Sequence, residues 1–328
     1  MTSKFRALAL AFAVLIAGAA MSVSAETRKV RLGIGYALAY VPLYVAQEKG
    51  FFKDEGVDVE FVKIEIAPDM IQSIIGGSTD AGTPGSFALI TFIAKGAPVS
   101  AVAYYGYGGD RIALAARKDS GIEKITDLYG KRLAVQTGTI GAQMWGNMVK
   151  AEGLDASKID VKNIRNLDLP SAIAAKSVDA LITWEPNPTV LEERGLVKVI
   201  QRAGKYQKSY GAVIFGKKFI EDNPDTVRRF VKAHFRAAKF IRDNPREAAE
   251  INAKYVKNAT VETIMKSQQH MVFDPRITAE SVEELNSDIE FMKSGGRLTG
   301  KVEGKDIVNS KFSDAVSKAH PELVTGLK

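Results

Sequence analysis

The sequence predicts an α/β protein of two lobes, each a doubly wound, mainly parallel sheet, joined by a hinge of two backbone segments. Three observations lead there. Strand-like and helix-like segments alternate from residue 29 to 105, and the alternation restarts after 120 and runs to 201. Beyond residue 215 the pattern turns to helices alone. The second α/β unit therefore interrupts the first. The expected organisation is residues 26–117 with 208–328 as a discontinuous first lobe and 118–207 as an inserted second lobe, with 1–25 preceding both.

Each element follows from its residues. Lys29 to Gly35 alternates as a strand does; Pro42 to Gly50 has Pro at a helix start and Gly past its end. Val57 to Ile64 is a strand, Asp69 to Gly76 a helix, Thr79 to Gly82 a short strand, Ser86 to Lys95 a helix and Val99 to Tyr105 a strand. Arg111 to Ala116 is an apolar strand placed with the first lobe, before the polar stretch Arg117 to Gly121. The inserted unit reads Leu133–Gln136 strand, Gly141–Ala151 helix, Ile159–Ile164 strand, Pro170–Lys176 helix, Val178–Thr183 strand, Pro188–Arg194 helix and Val197–Gln201 strand. After Tyr210–Phe215, a helix from Pro224 to Arg242 carries Val227, Phe230, Val231, Phe235, Ala238 and Ile241 at helical spacing. Helices at 245–255, 261–270 and 279–294 follow, and the two halves share no sequence repeat beyond their rhythm.

Composition narrows the chemistry. The chain has 328 residues, 46% apolar and 25% charged, so it buries a sizeable core; with 0 cysteines it has no disulfides, thiol nucleophile or cysteine metal site. Lys4 and Arg6 precede an apolar run, Ala7 to Met21, that ends in Ser22-Val23-Ser24-Ala25, as in an export signal cut after Ala25. No cysteine follows it to carry a lipid, so a freely diffusing periplasmic product is expected. Without Lys4 and Arg6 the formal net charge falls from +7 to +5, with no basic stripe for nucleic acid.

Catalytic motifs fail one by one. Gly33-Ile34-Gly35 follows a strand, but Leu38 occupies the third glycine position of a dinucleotide fingerprint. Gly295 to Lys301 has phosphate-loop spacing, yet Val302 stands where a hydroxyl would hold magnesium. His234, His270 and His320 lack metal spacing, and no Gly-x-Ser-x-Gly elbow occurs, so neither cofactor, metal nor enzymatic activity is expected. What remains is three helix starts after strand C-termini: Tyr36 to Pro42, Thr83-Pro84-Gly85-Ser86, and Thr137-Gly138-Thr139-Ile140-Gly141. Unpaired N–H groups there favour an anion.

Taken with further segments, these residues resemble a family. Val41 to Val59, Gly77-Ser78-Thr79-Asp80-Ala81-Gly82, Asp127 to Val135, Gly138-Thr139 and Trp184-Glu185-Pro186 are similar to the nitrate/sulfonate/taurine-type substrate-binding proteins of ABC importers, relatives of the thiamine-pyrimidine-binding proteins. The resemblance implies the two-lobed, type II periplasmic-binding-protein fold. It implies ligand contacts at Tyr36, Ala37, Tyr40, Gly85, Ser86, Gly138, Thr139, Ile140, Trp184 and Glu185. Its implied partners are a small organic anion and a permease and ATPase at the inner membrane, with the chain acting as a monomer.

Several roles stay open from sequence. Trp184 offers a flat face to a ring or alkyl chain, or belongs to a core; Glu185 pairs with a ligand ammonium, or caps the next helix. Arg111 grips a sulfonate or carboxylate, or makes a salt bridge with Asp110 or another acid. Tyr104, Tyr105 and Tyr107 line a cleft or a sheet edge. Ile140-Gly141-Ala142 adds no hydroxyl after Gly-Thr, which favours an alkyl- or arylsulfonate, taurine-like zwitterion or aromatic carboxylate over nitrate. A pyrimidine (thiamine-precursor) binder, a nitrate-type binder or a sensor subunit for a membrane kinase is the alternative, and a synthase of the same superfamily would need a cysteine-rich segment that is absent.

Overall fold

A computed structural model describes residues 28–35, 37–206, 208–256 and 259–327. The export segment and Tyr36 lie outside them. The chain begins β1 (Arg28–Ile34), α1 (Val41–Glu48), α2 (Phe51–Asp54), β2 (Val57–Lys63), α3 (Ala67–Ile75), β3 (Ala81–Gly82), α4 (Ser86–Ala94) and β4 (Val99–Tyr107). It then crosses over to β5 (Ile112–Arg117), β6 (Arg132–Val135), α5 (Ile140–Ala151), β7 (Asp160–Asn163), α6 (Leu169–Ala174), β8 (Ala180–Trp184), α7 (Asn187–Glu193) and β9 (Val197–Arg202). It returns as β10 (Tyr210–Gly216) and ends in α8 (Lys217–Asp222), α9 (Pro224–Asp243), α10 (Pro245–Ala253), α11 (Val261–Gln268), α12 (Ala279–Ser294), α13 (Gly304–Ile307) and α14 (Lys311–Ala319).

Two five-stranded sheets result, in the orders β2-β1-β3-β10-β4 and β7-β6-β8-β5-β9. Each runs mainly parallel with one reversed strand: β10 is antiparallel to β3 and β4, and β5 is antiparallel to β8 and β9. In both sheets the reversed strand is the one that arrives from the other lobe. Strand 112–117 therefore belongs to the second sheet, with Ile112 opposite Trp184, whereas the sequence reading kept it in the first lobe up to residue 117. That reading followed the polar stretch after Arg117; the hydrogen-bonding partners of an apolar strand carry no such mark.

Why these segments fold as they do is visible in their burial. β4 is apolar and buried almost throughout, as a strand covered on both faces must be, while the edge strand β2 alternates buried Val57 and Val59 with exposed Asp58 and Glu60. Prolines sit in the first turn of α1, α3, α6, α7, α9 and α10, where the missing N–H costs nothing. On α9, Val227, Phe230, Val231, Phe235, Ala238 and Ile241 are buried, and each large side chain contributes about 1.5–3 kcal/mol relative to exposure. α1, α9 and α10 cover one face of the first sheet, α4 and α12 the other.

The lobes also repeat a device that the sequence reading, which found no repeat, did not see. In the first lobe Asp80 accepts from the backbone N–H of Arg31 at 2.8 Å and holds its guanidinium with both oxygens, at 3.1 and 2.8 Å. In the second, Asp179 does the same to Arg132 at 2.9, 3.0 and 2.8 Å. One pair ties the middle of β1 to the start of β3 and the other ties the start of β6 to the start of β8, and Arg132 holds the Asp179 carboxyl down at about 2. Gly77 with φ of 74° precedes the first aspartate; Lys176 with φ of 56° takes the matching place before the second. The match needs only an Arg and an Asp per lobe, too sparse to register as a repeat.

Candidate functional site

The C-terminal ends of β1, β3 and β4 and the start of β10 share one edge of the first sheet. The ends of β6, β8 and β9 and the start of β5 share one edge of the second. Both crossings, 108–111 and 203–209, join these two edges, so the edges face each other, the place where open α/β sheets bind ligands. The lobes touch on both flanks. On one, the Gln143 Nε2 of α5 donates to Asp288 of α12 at 2.7 Å, and the Phe291 ring lies against Gly146 so closely that a Cβ there would be 2.8 Å from it. On the other, Glu193 of α7 accepts from Thr263 and Lys266 of α11.

Between those flanks sits Arg111, half-buried at the end of the first crossing. Its Nη2 donates to the Ser209 hydroxyl at 2.8 Å, and among the described residues no carboxylate pairs with its guanidinium. Asp110, the partner the sequence offered, turns away and accepts from the Gly204 N–H at 3.1 Å. Burial lowers the Arg111 pKa from its usual value, and the nearest opposing groups are the Tyr105 and Tyr40 hydroxyls. Those two rings meet edge to face with centroids 5.0 Å apart, and Tyr40 donates to the Thr83 carbonyl at 3.3 Å. Burial pushes both phenols up, so they stay protonated donors. The Tyr105 ring lies directly on Gly211, which only a residue without a Cβ permits, and Gly211 bridges to Gly85. A guanidinium does not shed its proton, so this one is a half-buried cation whose partial desolvation an anion would offset.

The structure gathers some of the expected residues and disperses others. Tyr40, Gly85 and Arg111 meet around Tyr105, with open space where a Gly85 side chain would stand. Ser86, buried, begins α4 beside them. Gly138 to Ile140 form the start of α5 on the facing edge; Gly138 has φ of 74°, and the Thr139 hydroxyl is spent on the Gln136 carbonyl at 2.7 Å. Ile140 is half-buried there. The Ala37 N–H already donates to the Tyr44 hydroxyl at 3.3 Å. Trp184, half-buried at the end of β8, packs against the second lobe's core. Glu185 matches neither of its readings: its side chain is 1% exposed, and its oxygens accept from Arg202 at 2.8 Å and Ser267 at 3.0 Å. Sequence reasoning missed Ser209 and Ser267 altogether, since an isolated serine carries no pattern.

His234 is wholly buried and bonds the Tyr104 carbonyl through Nε2 at 2.8 Å, and burial pulls it down to about 4, the packing role rather than a metal-binding one. Among the described residues no group of His, Asp and Glu is arranged to hold a metal, and no helix is long and apolar enough to cross a membrane.

Two hinged α/β lobes with facing sheet edges are the periplasmic-binding-protein fold. The chain belongs to the NMT1/THI5-like family, whose model matches residues 38–248, well over half of its length. It is 24% identical over 303 residues to a putative aliphatic sulfonates-binding protein of Bacillus subtilis (strain 168), covering 90% of each chain. It is similar in fold to the periplasmic aliphatic sulphonate binding protein SsuA of Escherichia coli, with a TM-score of 0.77 at 17% identity, covering 86% of this chain and 92% of that one. A structure of DszB in complex with biphenyl-2-sulfinic acid is also similar, with a TM-score of 0.73 at 16% identity over 90% and 100% of the chains.

Proposed function

We propose that the protein is an extracytoplasmic solute-binding protein that captures a small organic anion in the interlobe cleft and delivers it to an ABC permease. The observation that carries this is Arg111: a half-buried guanidinium in the seam between touching lobes, whose one hydrogen bond among the described residues is to Ser209 and which two protonated tyrosines face. One anionic head group would complete its fork bidentately, and the N-termini of α4 and α5 would add polarised N–H groups. The chemistry suits an alkyl- or arylsulfonate, a taurine-like sulfonate or an aromatic carboxylate, with Trp184 beside the apolar part. The sulfonate-binding relative supports this class, and the leader-like residues 1–25 support export to a periplasm. No bond is made or broken: the ligand is trapped on closure and released unaltered.

A thermal-shift panel of alkyl and aryl sulfonates, benzoates, taurine, nitrate and pyrimidines tests this. A ligand at ~100-fold over its Kd adds about 2.7 kcal/mol of stability, an easily read rise in Tm. At least one organic anion should give it, and Arg111→Ala should remove it while leaving the unliganded Tm nearly unchanged. A full shift retained by Arg111→Ala, or a response to pyrimidines alone, would contradict the assignment.

A further inference from the structure

We infer that Glu185 is a positioning residue: it fixes Arg111 in place and, through Ser267, ties that fixed position to closure of the lobes. The inference rests on the anion-binding reading above. A carboxylate as buried as Glu185 needs its lone pairs filled, and its partners are distributed in a telling way. Its backbone N–H donates to the Arg111 carbonyl at 2.8 Å. One carboxylate oxygen accepts from Nη1 of Arg202, and the same Nη1 donates to the Asp110 carbonyl at 2.7 Å. Residues 110 and 111 of the outgoing crossing are thus held by the end of β8 and the end of β9, while the Arg111 side chain is held by Ser209 on the returning crossing.

The remaining carboxylate oxygen accepts from the Ser267 hydroxyl, and Ser267 belongs to α11, a helix of the first lobe. Of all these contacts, this is the one that joins Glu185 to the body of the opposite lobe. The pair with Arg202 lies inside the second lobe and survives opening; the bond from Ser267 exists only when the lobes are shut. Closure therefore gains a hydrogen bond to a charge, of the stronger kind, at the residue whose backbone fixes the anion-binding arginine. An acid committed in this way is also not available to a ligand ammonium.

The test separates rates from stability. Trp184 neighbours the seam, so stopped-flow tryptophan fluorescence follows hexane-1-sulfonate binding and release. Ser267→Ala should release the sulfonate about 10-fold faster with an unchanged association rate, and Ser267→Thr, which keeps the hydroxyl, should restore the slow release. A dissociation rate unchanged in Ser267→Ala would overturn the inference. A second readout needs no ligand. The chain has 0 cysteines, so Ile66→Cys and Leu167→Cys, at exposed positions on opposite lobes, accept a spin label each. In the unliganded protein Ser267→Ala should shift the inter-label distances to longer values, and an unaltered distribution would overturn the inference. Failure of the unmutated protein to bind any organic anion would instead count against the proposed function.

Discussion

At Lys176 and Gly77 the same turn is solved with different residues, and the difference has a measurable cost. A lysine at φ of 56° occupies the left-handed region at roughly 1–2 kcal/mol, while its ion pair with Asp119 is exposed and worth little. Lys176→Gly should therefore raise stability, by about 0.5–1 kcal/mol after the entropy that glycine adds to the unfolded chain; a urea midpoint at or below the parent's would refute this. His234 sets a pH dependence. Its folded pKa is about 4 against an unfolded 6.5, so between those values the unfolded chain takes up a proton that the folded protein does not. Stability is therefore complete above pH 6.5 and falls as the pH drops towards 4, by about 3 kcal/mol over the whole window. His234→Gln should flatten that slope in urea melts at pH 4–7. Arg111 illustrates what single residues reveal in sequence: its type announced an anion or a salt bridge, and the orientation of Asp110 towards Gly204 removes the salt bridge with that acid.

Elements were legible where periodicity and punctuation agree. The ranges read for α1, α4, α9 and α12 from proline, glycine and apolar spacing lie within a few residues of those observed. The helices α13 and α14 went unread: α13 has four residues, barely one turn, and α14 has neither a proline at its start nor a glycine directly past its end to mark it. Strand partners were illegible for a different reason: β5 is an apolar run that would suit either sheet, and its place is fixed by pairing with β8 and β9. The contact of α5 with α12 is an element-scale feature with its own prediction. Gly146 lies mid-helix, so Gly146→Leu improves helix propensity and leaves each lobe folded, yet its side chain strikes the Phe291 ring. It should prop the lobes apart and weaken anion binding about 10-fold or more with little loss of Tm, since apparent affinity scales with the closed fraction. Unchanged affinity in a calorimetric titration would mean that this flank does not limit closure.

For the whole molecule, the two-lobe plan was legible because the strand-helix rhythm restarts, and the candidate site was proposed from helix starts after strand ends, which fall together in such folds. The shared Arg–Asp device shows the lobes to be variations on one unit. On that view the starts of α1 and α5 are counterparts, as are those of α4 and α7, and the four loops surround the seam in two matched pairs. What the sequence withheld is how the seam is divided: Arg111, Tyr40, Tyr105 and Ser209 form the charged centre, while Glu185 serves the closure. The central claim is that an anion belongs on Arg111 between closing lobes. Isothermal titration of the mature chain with hexane-1-sulfonate and benzenesulfonate, beside the Arg111→Gln variant, tests it most directly. Saturable one-to-one binding that weakens about 100-fold or more in the variant is the expected result; equal affinity in the two proteins would contradict it.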